Sequence, residues 1–405
     1  MISDFYKQRN KAIDMFRALT MALMIFVNDM WRISGVPHWM EHGDWGEDFM
    51  GLADFVFPCF LVAVGMSIPY AIERRYEKGK SVESTFLHII MRTLALIVMG
   101  VFLVNSEGGV GEAAPYSKLA YRPLAILGFF LVWNLYPKSW NCRWFKTLLQ
   151  VTGVALLAWL AFTFVDKNGG AFAARWWGIL GLIGWSYVFC AIAYLLCCKS
   201  RYGVFLVWSA LLVLAMLTSP LKESLGGKSF IAFENNFLYT FLHDTLHVDN
   251  GVHHLLVMSG VCITVIASKL NDVTGKAKYE ISIVAMLIFF SILCHELWIF
   301  NKLTPTLPWA FMAIGASAAV YFVLSHFESS KVFSGSYKVL RPAGTATLTV
   351  YMVPSLFYSI FNATGFELPV WISGNTAGLL YCVVFSLVCI ATGGLMERCH
   401  IKLKV

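Results

Sequence analysis

LADFVFPCFLVAVGMSIPYAI, residues 52–72, has one carboxylate near its start, Asp54, and then no charged residue for eighteen positions. Eighteen residues at a rise of 1.5 Å come close to the ~30 Å hydrocarbon thickness of a bilayer, so this stretch reads as a membrane span. Working outward from it, runs of the same kind recur over the whole chain. Twelve candidate spans fall at about 13–31, 50–72, 85–104, 119–136, 145–165, 176–198, 203–219, 251–270, 280–300, 306–326, 343–362 and 375–396, with eleven as the next count. The expected fold class is an all-α, polytopic integral membrane helical bundle forming one domain over residues 1–405.

Composition agrees. The 405 residues are 58% hydrophobic and 14% charged, where a soluble domain carries roughly 25% charged residues. Mean hydropathy is +0.66. The net charge of +7 could suggest nucleic acid, but its placement points to the positive-inside rule. With the N-terminus inside, 23 of the 31 Lys and Arg fall on the inner side and eight on the outer. Both termini are therefore expected in the cytoplasm. The ten cysteines lie mostly within spans, without a C-x-x-C pair, and read as packing residues. The polar start MISDFYKQRNK has no small-residue cleavage site, so the first span is expected to remain in the membrane.

This topology places residues 32–49 in the first outer loop, which is unusually rich in ionisable groups. VPHWMEHGDWGEDFMGLADFVFP, residues 36–58, holds His38, His42, Trp39, Trp45 and five carboxylates: Glu41, Asp44, Glu47, Asp48 and Asp54. The tryptophans suit either interfacial anchoring or stacking against a sugar. Asp54 at the start of the second span is placed to orient an imidazole, and Pro58 frees backbone groups that neighbours or a water-filled cavity must satisfy. A histidine with an Asp and an Asn nearby suits a general base towards an amine or hydroxyl.

The first span, IDMFRALTMALMIFVNDMW, carries Asp14 and Arg17 one turn apart at its inner end, a spacing that permits an ion pair. Asn28 lies eleven residues beyond Arg17, near three full turns, so it shares their face with Met21 and Met24 between. Such a polar group either faces a partner or cavity or joins helices by a hydrogen bond.

IDMFRALTMALMIFVN, HGDW and ADFVFPCFLVAVGMSI together resemble the heparan-alpha-glucosaminide N-acetyltransferase family and its bacterial transmembrane acyltransferase relatives. Asp14, Arg17, Asn28, His42, Trp45, Asp54 and Pro58 match that pattern residue by residue. Weaker likenesses follow at GILGLIGWSY (178–187), NKLTPT (301–306) and RPAGTATLTVY (341–351). The chain departs from the pattern at Ala18, Gly181, Leu182 and Ala346. The resemblance implies transfer of an acetyl or other small acyl group from cytoplasmic acetyl-CoA to an amine or hydroxyl of an extracytoplasmic sugar or glycan. His42 would be the catalytic base or acyl-accepting residue, with Asn28 and Asp54 beside it. Arg17, Asp14, Arg75 and Arg92 would serve the coenzyme A end, since guanidinium groups hold phosphates well. Trp45, Asp44 and His38 would meet the acceptor. A homodimer in a bacterial inner membrane is also implied; no metal is expected, and nothing points to nucleic acid.

Two further clusters remain. His243 and His247 have i, i+4 spacing, which suits a metal, an interfacial loop or an acceptor-site wall. His295 and Glu296 read as an ionisable pair within the ninth span, which also fits a transporter or flippase. Walker A, dinucleotide-binding and Ser-His-Asp signatures are absent from the sequence.

Overall fold

In the computed structural model the described residues are 4–7, 9–137, 143–198, 200, 202–231, 247–248, 250–271 and 273–405. They form thirteen principal helices: α1 (Lys11–Asp29), α2 (Leu52–Glu77), α3 (Val82–Glu107), α4 (Lys118–Trp133), α5 (Arg143–Phe162), α6 (Gly178–Cys197), α7 (Gly203–Thr218), α8 (Val252–Leu270), α9 (Lys276–His295), α10 (Leu307–Phe327), α11 (Lys331–Thr345), α12 (Thr347–Thr364) and α13 (Asn375–Arg398). Among the described residues β pairing is limited to isolated bridges. A helix lies at each of the twelve positions expected for a span. Eight of them are long and apolar enough to cross a membrane: α2, α3, α5, α6, α8, α9, α10 and α13. The molecule is an all-helical integral membrane protein. The additional helix, α11, begins between the expected spans at 306–326 and 343–362.

The chain divides into two compact units, each assembled from separated segments. The first comprises Met1–Thr20, Val36–Ile90 and Trp185–Tyr337; the second comprises Met21–Gly35, Met91–Gly184 and Lys338–Val405.

The first unit is built around the contact of α2 with α8. A Cβ at Gly65 would sit 1.9 Å from the Val257 carbonyl oxygen, and one at Gly260 would sit 2.1 Å from that of Val62. Glycine is what lets the two backbones approach, the small-residue packing expected between membrane helices. Thr264 Oγ1 donates to the Met66 carbonyl (3.0 Å) across the same seam, and Trp208 Nε1 donates to Ser259 Oγ (2.8 Å) to hold α7 against α8. Ser291 Oγ donates to the Pro308 carbonyl (2.7 Å), joining α9 to α10.

Asn10 caps α1 by accepting from the Ile13 amide (3.0 Å). Pro58 lacks the amide that would bond the Asp54 carbonyl in a regular helix. The indole N–H of Trp309 on α10 donates there instead, at 3.0 Å, so the proline's cost is met by a neighbour.

In the second unit Gly100 on α3 faces α6, where an added Cβ would fall 2.5 Å from the Trp177 carbonyl oxygen, and Gly393 on α13 fits against Val350 on α12. The carboxylate of Asp29 at the end of α1 is buried and accepts from Tyr358 Oη at 3.0 Å.

Candidate active site

The site grows from the start of α2. Asp54 is the third helical residue after the N-cap, Gly51, and its Oδ2 accepts from the Gly51 amide (3.2 Å) and the Gly43 amide (2.9 Å). A carboxylate here complements the exposed amides and positive dipole end of the helix. Its other oxygen, Oδ1, lies 2.7 Å from His42 Nδ1. One carboxylate therefore caps a helix, anchors the loop and holds an imidazole. The Asp54 side chain is 2% exposed and that of His42 48%. An ionised carboxylate only accepts, so Nδ1 carries the proton in this bond; in a neutral ring that leaves the lone pair to Nε2.

A second segment locks this loop. Asn301, 1% exposed, sits in the turn between α9 and α10. Its Nδ2 donates to the carbonyls of Asp44 and Glu47, both at 3.0 Å, while its Oδ1 accepts from the amide (2.9 Å) and hydroxyl (3.1 Å) of Thr304. The Phe49 amide donates to the Phe300 carbonyl (3.0 Å), and the Phe300 amide donates to Asp48 Oδ1 (2.7 Å). At Gly51 a Cβ would meet the Glu41 carbonyl oxygen at 2.0 Å, so the loop closes over a position that only glycine fits.

Lys302, next in this turn, brings its Nζ to 3.2 Å from His42 Nδ1 and 3.9 Å from Asp54 Oδ1. Burial lowers its pKa below the ordinary lysine value, and the Asp54 charge opposes that shift. Lys302 and Asn301 received no role from the sequence, although NKLTPT stood out as a motif. What the motif could not show is that this turn, about 250 residues away along the chain, folds onto the loop.

A second histidine–carboxylate pair lies farther along the same loop. His295 Nε2 is 2.8 Å from Asp48 Oδ2, and Lys222 Nζ is 3.7 Å from that oxygen. Burial would raise the Asp48 pKa, but the Phe300 amide, His295 and Lys222 together bring it below the ordinary carboxylate value. This corrects the reading of His295 and Glu296 as a pair within a span. α9 ends at His295, Glu296 is the exposed C-cap, and His295 turns to Asp48. The feature that suggested a transporter is thus a loop anchor.

The other expected site residues are placed as follows. His38 stacks on Phe49 (ring centroids 4.2 Å apart) with its nitrogens 3.7 Å from Glu41 and 3.3 Å from Glu47. Asp44 and Trp45 are exposed, the latter 74%. Asp14 is buried and ion-paired with Arg9 as well as with Arg17 (3.8 Å), and Arg17 also donates to Ser67 Oγ (2.6 Å). Arg75 donates to the Ser84 carbonyl (2.9 Å), Ser84 Oγ (3.1 Å) and Thr85 Oγ1 (3.2 Å). Asn28 and Arg92 fall in the second unit, where Asn28 is exposed and its neighbour Asp29 is the buried polar group. The stripe reading of α1 therefore holds for Met21 and Met24, both buried, but ends one residue off at Asn28. His243 lies outside the described residues; His247 packs against Trp185 with centroids 4.3 Å apart. Among the described residues no three His, Cys, Asp or Glu side chains gather as a metal site would require.

A helical membrane protein with a half-exposed imidazole, backed by a buried carboxylate at a helix start, is the class that fold and site define. The chain belongs to the family described as "Domain of unknown function (DUF5009)", whose model matches residues 9–242. It is also similar to mouse heparan-alpha-glucosaminide N-acetyltransferase, 30% identical over 143 residues that cover 32% of this chain and 21% of the relative. The human protein of the same name is 32% identical over 104 residues, covering 25% and 15%. The match thus spans about a fifth or less of the curated relatives. The resemblance read from the sequence is borne out.

Proposed function

We propose that this protein is a membrane acyltransferase that moves an acetyl or other small acyl group from cytoplasmic acetyl-CoA to an amine or hydroxyl of an extracytoplasmic sugar. The observation that carries the reading is the His42–Asp54 pair, a half-exposed imidazole with its Nδ1 2.7 Å from a buried carboxylate. The names of the mouse and human relatives add support.

His42 Nε2 takes the proton from the acceptor N–H or O–H as the acceptor attacks the thioester carbonyl carbon. The new C–N or C–O bond forms and the C–S bond breaks. The coenzyme A thiolate leaves, and the proton on Nε2 passes to it. Asp54 keeps the ring oriented and stabilises the imidazolium between the two transfers. An acetyl group carried briefly on His42 is the other form of the same chemistry.

Arg17, Arg75 and Arg92 are the groups proposed for the nucleotide phosphates, with Asp14 setting the position of Arg17. Arg75 uses Nε and one terminal nitrogen on Ser84 and Thr85, leaving its second terminal nitrogen for a phosphate oxygen. Asn28 is proposed as a further catalytic group. Trp45, Asp44 and His38, all exposed, would form the acceptor's landing surface. The proposed setting is a homodimer in a bacterial inner membrane, termini inside and the His42 loop outside.

The test is transfer from radiolabelled acetyl-CoA to D-glucosamine by the purified protein in nanodiscs, with the product identified by mass spectrometry. His42→Ala is expected to abolish transfer while leaving the thermal unfolding curve in place. Full activity in that variant would remove the assignment.

A further inference from the structure

Lys302 stands beside the pair without a part in the reaction just described. Its position is built rather than incidental. The residue before it, Asn301, is buried and its side chain makes four hydrogen bonds, and Thr306 Oγ1 donates to the Ile299 carbonyl (2.7 Å) to close the same turn. The lysine side chain is 24% exposed, and its ammonium reaches both members of the pair.

A histidine that takes a proton next to a single buried carboxylate forms a tight ion pair and gives the proton up slowly. A second cation within 4 Å of the same carboxylate weakens that hold. We propose that Lys302 is a positioning residue acting through Asp54 and His42. Its ammonium shares the Asp54 carboxylate, so that the proton His42 takes from the acceptor passes on to the leaving thiolate instead of staying in an Asp54–imidazolium pair. The inference rests on the acyl-transfer reading of this site.

The surrounding charges leave this role to Lys302. On the loop itself, His38 lies between Glu41 and Glu47, and the Asp44 amide donates to Glu47 Oε2 (2.8 Å). Asp48 is engaged by His295 and Lys222. On α8, His253 sits edge-on to Phe57 and Trp309 and within reach of the Lys302 charge. Asp54 Oδ1 lies 2.7 Å and Lys302 Nζ 3.2 Å from His42 Nδ1.

The experiment uses the full-length protein in nanodiscs with two readouts over about pH 5 to 8. One is the rate at which diethyl pyrocarbonate modifies His42, followed by peptide mass spectrometry; it needs no turnover. The other is coenzyme A release from acetyl-CoA with D-glucosamine. Lys302→Met is expected to move the midpoint of His42 reactivity, and the acid limb of kcat, upward by about one pH unit. Lys302→Arg, which keeps the charge, should follow the parent, and Lys302→Gln serves if the Met variant does not purify. Unmoved profiles in both neutral variants overturn the role of Lys302 and leave acyl transfer standing. A moved reactivity profile in a protein that never turns over acetyl-CoA removes the acyl-transfer reading, but not the control of His42 by Lys302.

Discussion

At the residue scale, the separate duties of Asp54 can be pulled apart. Asp54→Asn keeps the side chain's shape but removes the charge that stabilises an imidazolium. The expected outcome is a fall in kcat approaching that of His42→Ala, about 10²–10⁴-fold, with only a small change in KM for acetyl-CoA. Loss of the charged helix cap should also cost about 1 kcal/mol of stability, read from thermal unfolding. Asp48 gives the pH signature. Its pKa is lowered by folding, so its contribution to stability is present above the ordinary value of 3.8 and is lost as pH falls through the folded value. Asp48→Asn should therefore lower the unfolding temperature at pH 7, and the gap from the parent should close under acid conditions. A gap that persists in acid would show that the side chain acts without its charge. His38, His42, Asp44 and Asp54 were all visible in the sequence as a dense cluster. Which imidazole meets which carboxylate was not, because nearness along a chain does not fix side-chain direction.

At the element scale, two contacts hold the site in place. The α2–α8 seam depends on Gly65 and Gly260, and a methyl at either position would overlap a backbone carbonyl. Gly65→Ala or Gly260→Ala must push the helices apart, at an expected cost of about 1–3 kcal/mol in thermal unfolding. The second contact is the clamp from Asn301 to the loop. Asn301→Ala removes the bonds to the carbonyls of Asp44 and Glu47, so hydrogen exchange should quicken across residues 43–51 while α2 and α8 stay protected. Unchanged exchange in the loop would show that the Phe49–Phe300 and Asp48–Phe300 bonds suffice. Here the sequence was informative about the helices and blind to their partners. Apolar length set twelve of the thirteen helices to within about five residues, and α11, which is not an apolar run, was not among them. The pairing of a loop at 43–51 with a turn at 299–306 comes from folding two distant segments together.

At the scale of the whole molecule, the orientation argued from charge can be tested directly. In a protein whose own cysteines are replaced, Trp45→Cys should react in intact cells with a membrane-impermeant maleimide, and Lys80→Cys should react only after lysis. Both positions are exposed. The reverse pattern would place the imidazole on the side of the termini and end the proposal that its acceptor is extracytoplasmic.

The sequence by itself determined the membrane class, the positions of the twelve apolar helices, the charge asymmetry and the family likeness. Each follows from local quantities: the apolar length needed to span hydrocarbon, the count of Lys and Arg between spans, and short motifs. Only the tertiary structure decided that His42 turns its Nδ1 to Asp54 and that the Lys302 ammonium comes within 4 Å of this carboxylate. It likewise decided that His295 serves Asp48 and that Asp29, not Asn28, is the buried group at the end of α1. The physical reason is that ion pairs and hydrogen bonds act over about 3–4 Å, a distance set by how remote segments pack and not by their separation along the chain.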